Sequence, residues 1–160
     1  MLLEKMGGIV GARWQDDDQV HLTLAFAGEV DNLQYANLVE ALSEADSTTF
    51  AADVSGVGHF ERKQMPTALW ARVPLTDALA LLQHRVERAC RRAGLAPESR
   101  GYRPHITLAR LPRSAGPVGD WLAQHGTLRA GPWQVEGFTL YESHLRQEGP
   151  LYRALVDYRF

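Results

Sequence analysis

Apolar residues recur along the chain with two different periods, and the places where one period gives way to the other mark the elements. After a patternless opening that ends in Trp14 and the acidic run Asp16-Asp17-Asp18, residues 19–27 alternate apolar and polar positions. That alternation predicts a half-buried strand, with the acidic run as a solvated turn ahead of it. From Asp31 the period lengthens: Tyr35, Leu38, Val39 and Leu42 recur at helical spacing, and Asp31 suits the cap. Residues 48–57 and 67–73 return to strand character, with a loop expected over 62–66. Pro74, Thr76 and Asp77 open a second helix. Its buried stripe runs through Leu75, Leu79, Leu82, Val86 and Ala93, and Gly94 suits its exit. His84, Arg85, Arg88, Arg91 and Arg92 lie off the stripe as a solvated basic face. A strand over 104–110, a short helix over 118–125 and closing strands over 133–141 and 151–158 complete the chain. This order predicts an α+β fold with antiparallel sheets, repeated once. No low-complexity linker interrupts it, so residues 1–160 are expected to form a single domain of two packed halves.

Within that pattern one phrase occurs twice. Val20-His21-Leu22-Thr23-Leu24-Ala25-Phe26 returns as Pro104-His105-Ile106-Thr107-Leu108-Ala109-Arg110. Repetition at long range is the mark of two equivalent structural units. Side chains two apart on a strand share a face. Each copy therefore buries an aliphatic pair (Leu22 with Leu24, Ile106 with Leu108) and shows an imidazole beside a hydroxyl on its other side. Two such strands face to face would bring two imidazoles and two hydroxyls around one anion, a constellation suited to phosphate chemistry.

Composition narrows the class. With 45% hydrophobic and 22% charged residues the chain has the balance of a soluble globular protein. A net charge of −2 argues against a protein that coats long nucleic acid, yet leaves room for a local site that binds one RNA end. Cys90 is the single cysteine, which excludes an intramolecular disulfide and a cysteine zinc cluster. No apolar run approaches the ~20 residues that span a bilayer, and residues 1–8 make a poor signal peptide. The cytoplasm is the expected compartment, with no membrane association and no obligate protein partner.

Of the six histidines, His59, His84, His125 and His144 read as surface or helix residues. His21 and His105 stand apart because each sits in a matching seven-residue frame. Zinc is the competing use of paired histidines. It takes three or four ligands, commonly including a carboxylate or thiolate, and the residues paired with these histidines are threonines. The pattern favours an anion over a cation, so neither metal nor cofactor is expected.

With both phrases in view the chain resembles the 2H phosphoesterase superfamily, named for its two His-x-Thr motifs. Within it the chain is similar to the RNA 2′,3′-cyclic phosphodiesterases formerly called 2′-5′ RNA ligases. The likeness runs from Trp14 through Val30, includes Gly56-Val57-Gly58-His59-Phe60, Leu69-Trp70 and Arg103 through Arg110, and ends in Tyr141-Glu142-Ser143 and Leu151-Tyr152. It implies two pseudo-symmetric lobes of antiparallel sheet and helices around a cleft, with one motif on each wall. Set against the family's usual pattern, the resemblance leads to the expectation that the N-terminal strand and most of the first helix are absent ahead of Gly11-Ala12-Arg13-Trp14.

The resemblance implies metal-independent hydrolysis of a 2′,3′-cyclic phosphate RNA end to a 2′-phosphate, an RNA-processing reaction. His21 would be the acid and His105 the base, with Thr23 and Thr107 binding the phosphate oxygens. It further implies that Phe26 stacks on the terminal base and that Arg110 lies near that base or the phosphate. Both stand five residues past their histidine, so a regular strand would point them away from it, and a bulge or a strand end must turn them back. A free imidazole titrates near ~6.5, so one can be neutral while its partner is protonated. The same residues fit a 2′-5′ RNA ligase or 2′-5′ phosphodiesterase, a small cyclic-nucleotide phosphodiesterase, or a non-catalytic RNA-end binder.

Overall fold

In a computed structural model of the chain, residues 7–98 and 100–160 are described. The expectation of a missing N-terminal strand falls in part on residues 1–6, outside the described residues. The elements follow in the order β1 (Arg13–Trp14), α1 (Asn32–Ser43), β2 (Phe50–Ser55), β3 (Val57–Arg62), β4 (Met65–Arg72) and α2 (Asp77–Arg92). Then come β5 (His105–Arg110), α3 (Gly119–His125), β6 (Arg129–Val135), β7 (Gly137–Arg146) and β8 (Gly149–Arg159). The fold is α+β with antiparallel sheets, as the periodicity predicts. The chain divides into two units.

The unit that takes Asp53–Pro74 and Pro104–Pro132, with the chain up to Leu22, is built on a four-stranded antiparallel sheet in the order β1-β5-β4-β3. One face of that sheet is core: Leu69, Ala71, Leu108 and Ala109 are wholly buried, and Ile106 nearly so. Trp121 of α3 covers this face and meets Trp14 with ring centroids 5.8 Å apart. The other face carries His105, Thr107 and Arg72 and stays partly open.

Two differences from the sequence pattern shape this unit. The segment expected as a strand over 19–27 forms only an isolated bridge, Leu22 to Ile106. The reason lies just upstream, where Asp16 and Gln19 close a turn: Gln19 N–H donates to the Asp16 carbonyl (2.9 Å) and Asp16 N–H to Gln19 Oε1 (2.9 Å). The turn loops the chain off β5 after Gln15, whose N–H donates to the Leu108 carbonyl (2.8 Å), and the chain returns at Leu22. The second difference is at 62–66, where a tight hairpin replaces the expected loop. Arg62 pairs with Met65, and both intervening residues, Lys63 (φ 51°) and Gln64 (φ 63°), adopt the left-handed conformation. Two-residue hairpins need that conformation to match the twist of their strands, and usually recruit Asn and Gly for it.

The other unit comprises Thr23–Ala52, Leu75–Arg103 and Trp133–Phe160. Here the helices begin and end on local signals. Asp31 and Gln34 form a capping box, with Gln34 N–H donating to Asp31 Oδ1 (2.7 Å) and Asp31 N–H to Gln34 Oε1 (3.0 Å). Thr76 caps α2 by accepting from Leu79 N–H (3.2 Å). Gly94 (φ 82°) ends it: Leu95 N–H reaches the Cys90 carbonyl (3.0 Å) and Gly94 N–H the Arg91 carbonyl (3.0 Å). That pair of bonds is a Schellman motif, and the left-handed turn favours glycine. Leu38, Ala41 and Leu42 of α1 pack with Leu82, Val86, Ala89 and Cys90 of α2. Leu75 is exposed and precedes the helix, so the stripe starts at Leu79. The β7–β8 hairpin closes over this core with Phe138, Leu140 and Tyr158. The strand expected over 133–141 is two strands, parted at Glu136 where its carbonyl accepts from Phe160 N–H (3.0 Å).

Candidate active site

The open face of β5 presents His105 and Thr107 because Ile106 and Leu108 are committed to the core on the opposite side. The His105 ring is held by two aromatic neighbours. Phe60 meets it edge-on (centroids 4.9 Å, 88°), and Trp70 lies tilted beside it (5.9 Å, 54°), with Phe60 and Trp70 also in contact (5.4 Å). These rings come from strands whose register puts them there. Trp70 pairs with Thr107 on one side and Gly58 on the other, and residues opposite each other in an antiparallel ladder share a face. Gly58 is the floor of the cluster, since a Cβ there would strike the distal edge of the Trp70 indole. Trp70 is only 8% exposed, and its ring packs against Phe60 and His105.

His21 reaches the same unit through the Asp16–Gln19 turn. Its Nδ1–H donates to the Gln19 carbonyl (2.7 Å), which orients the ring. The Leu22–Ile106 bridge sets His21 across from Thr107 in the ladder.

Arg110 is brought round by an irregularity in β5. Trp70 pairs with Thr107 but Leu69 pairs with Ala109, so Leu108 is an extra residue without a partner on β4. One inserted residue reverses the side on which the following ones emerge. Leu108 and Ala109 are consequently both buried, and Arg110, opposite Ala68, returns to the face of His105 and Thr107. A bulge of this kind is what the spacing of five requires. Arg13 of β1 lies opposite Arg110 on that face.

Thr23 and Phe26 belong to the second unit. Thr23 is exposed, and its carbonyl accepts from the Tyr102 hydroxyl (2.9 Å). Burial pushes the Tyr102 phenol above its ordinary range, so it remains a donor. Phe26 is 71% exposed, while Leu24, Ala25 and Ala27 around it pack on the helical core. Anchored flanks thus present an aromatic ring to solvent.

The remaining histidines have structural partners or exposure that account for them. His59 donates to Glu61 (2.8 Å), His144 pairs with Glu142 (3.1 Å), and His84 is exposed on α2. His125 stacks on Trp121 (4.6 Å) and bonds the Trp121 carbonyl through Nδ1 (2.9 Å). Among the described residues no three or more His, Cys, Asp and Glu gather as metal ligands, and no helix is long and apolar enough to cross a membrane. Sequence reasoning reaches Phe60 and Trp70 only through the family resemblance. The signal for their packing is Gly58, two residues before Phe60 and cross-strand from Trp70. Arg13 carries no signal of its own.

Comparison with known proteins bears on what this arrangement does. The model of the 2′-5′ RNA ligase superfamily matches residues 12–147. An RNA 2′,3′-cyclic phosphodiesterase of Aeropyrum pernix is 30% identical over 89% of this chain and 82% of its own length. The enzyme of that name from Archaeoglobus fulgidus is 28% identical over 96% of this chain and 87% of its own. A crystal structure of a Thermus thermophilus protein superposes with a TM-score of 0.74 at 26% identity, covering 94% of this chain and 82% of the other.

Proposed function

The chain belongs to the 2′-5′ RNA ligase superfamily, and from that membership we propose that it hydrolyses the 2′,3′-cyclic phosphate at an RNA end to a 2′-phosphate. The observation that carries the reading is the repeated His-x-Thr phrase, in a chain whose relatives over most of its length are named for this activity.

In the proposed reaction His105 takes a proton from water as its oxygen attacks phosphorus. The bond from phosphorus to the 3′-oxygen breaks, and His21 delivers a proton to that oxygen. A 2′-phosphate and a 3′-hydroxyl leave, and the two imidazoles exchange protons with solvent to start again. The Gln19 carbonyl engages the Nδ1–H of His21, so in this scheme the proton is delivered from Nε2. Acid–base help of this kind is typically worth ~10²–10⁴-fold. The Thr23 and Thr107 hydroxyls donate to the non-bridging oxygens, where charge accumulates in the transition state. Phe26 stacks on the terminal base, and Arg110 contacts the terminal nucleotide.

The test is turnover of a short RNA carrying a 2′,3′-cyclic phosphate, in the presence of chelator, with the product end identified. Wild type is expected to yield the 2′-phosphate along a bell-shaped rate–pH profile. His21→Ala and His105→Ala are expected to lose at least ~10²-fold in kcat while keeping the fold. Near-normal turnover by His105→Ala would overturn the two-histidine scheme. Tight binding with no turnover by wild type would leave an RNA-end binder.

A further inference from the structure

We propose that Tyr102 is a positioning residue for the reaction: its hydroxyl, by donating to the Thr23 carbonyl, holds the Thr23 side chain in the orientation that phosphate binding needs. The proposal rests on the reading of Thr23 as a donor to a non-bridging oxygen, and adds the group that keeps this donor still.

The two copies of the repeated phrase match in sequence but not in backbone. Thr107 lies inside β5 and pairs with Trp70 of β4, so a ladder fixes the chain on both sides of it. Thr23 lies outside every strand, and among the described residues the first phrase joins a sheet only at the Leu22–Ile106 bridge. Beyond Thr23 the chain is next anchored where Leu24 packs on the helical core. Thr23 itself is exposed, so packing does little to set the direction of its hydroxyl.

The Tyr102 hydroxyl takes the place of the ladder that the first phrase lacks. Tyr102 and Thr23 stand 79 residues apart, and the O–H donates to the Thr23 carbonyl over 2.9 Å. The Leu22 bridge holds the chain before Thr23, and this bond holds the peptide after it. With both backbone dihedrals restrained, a β-branched side chain has few staggered positions left to it. Burial keeps the phenol protonated and therefore donating. A half-buried phenol needs some acceptor, and the one it has is the main chain of the residue whose hydroxyl the reaction uses.

Because the bond ends on a main-chain oxygen, Thr23→Ala removes the hydroxyl and keeps the tether. A double-mutant cycle therefore separates orientation from stability. Wild type, Tyr102→Phe, Thr23→Ala and the double variant are compared on a short RNA ending in a 2′,3′-cyclic phosphate, with thermal melts of all four. Removing a transition-state donor outright costs ~10²–10³-fold in kcat, so loosening one is expected to cost about tenfold in Tyr102→Phe, with KM changed far less. In the Thr23→Ala background the same substitution should leave kcat within about twofold, while the fall in Tm should be equal in both backgrounds. Unchanged kcat in Tyr102→Phe overturns the proposal. An equal loss with and without the Thr23 hydroxyl also overturns it, and makes Tyr102 a purely structural residue. Undiminished turnover in Thr23→Ala overturns it too, and leaves the hydrolase reading standing without that donor. Kd values for a nucleoside 2′-phosphate follow the same cycle without catalysis: weakening by roughly threefold in Tyr102→Phe, seen only when Thr23 is present, supports the tether. That pattern with no turnover by wild type would sink the hydrolase reading and leave the tether intact.

Discussion

Replacing Gly58 by Ala tests whether the aromatic cluster holds His105 in place. A Cβ at position 58 would lie 2.8 Å from Trp70 Cζ3 and closer still to Cζ2 and Cη2. Carbon atoms settle at ~3.5–4.0 Å, so the indole must move by about 1 Å or the β3–β4 ladder must open. Neither is cheap, because Phe60 lies against the ring and Leu69 and Ala71 on either side of Trp70 are wholly buried. Overpacking of this kind costs about 1–3 kcal/mol, which for a domain of this size lowers Tm by about 2–4 °C per kcal/mol. The same shift presses on His105, whose ring centroid is 5.9 Å from that of Trp70. Misplacing a reacting group by ~1 Å can cost ~10²-fold in rate. The expected result is a lower Tm together with a kcat reduced about 10–100-fold and a KM changed far less. Trp70→Leu in the Gly58→Ala background should regain stability, since the smaller side chain makes room for the methyl, but not kcat. Thermal melts and single-turnover rates read both. A variant that melts early yet turns over normally would refute the link from Gly58 through Trp70 to His105.

Two further expectations concern stability. The Tyr102 phenol is pushed up by burial, so the folded state keeps its proton at a pH where the unfolded chain, titrating near ~10, releases it. The folded state then binds more protons than the unfolded one, so this contribution is complete below pH ~10 and lost as pH rises through the folded value. Tyr102→Phe should cost about 1 kcal/mol at pH 8 by losing the bond to the Thr23 carbonyl, and its Tm should fall less steeply than wild type above pH 10. Parallel Tm–pH curves would contradict this. At the β3–β4 hairpin, Lys63→Asn with Gln64→Gly should raise Tm by a few degrees, because both positions have positive φ. An unchanged or lower Tm would show that the turn is not strained.

The helices were legible because their signals are local. Asp31 with Gln34, Thr76, and Gly94 each act within one turn of chain, and the apolar period between them needs no partner to be read. What depends on pairing was not legible. The turn at Asp16 to Gln19 reduces an apparent strand to one bridge at Leu22, and the alternation over 133–141 runs through a break at Glu136. The hairpin at Lys63 and Gln64 lacks the Asn or Gly that announces such turns. The candidate site divides the same way. The two His-x-Thr phrases stand out in one dimension, whereas Arg13 opposite Arg110, and Gly58 beneath Trp70, exist only once strands lie side by side.

The unpartnered Leu108 has an implication for tolerance to length change. Deleting one residue from most exposed turns shortens a connection and little else. Deleting Ala109 would instead exchange inside and outside for everything that follows on the strand, sending the Arg110 guanidinium toward Trp121 and Leu111 out into water. The direction of that arginine is thus guarded by chain arithmetic, because the residue count along β5 cannot drift.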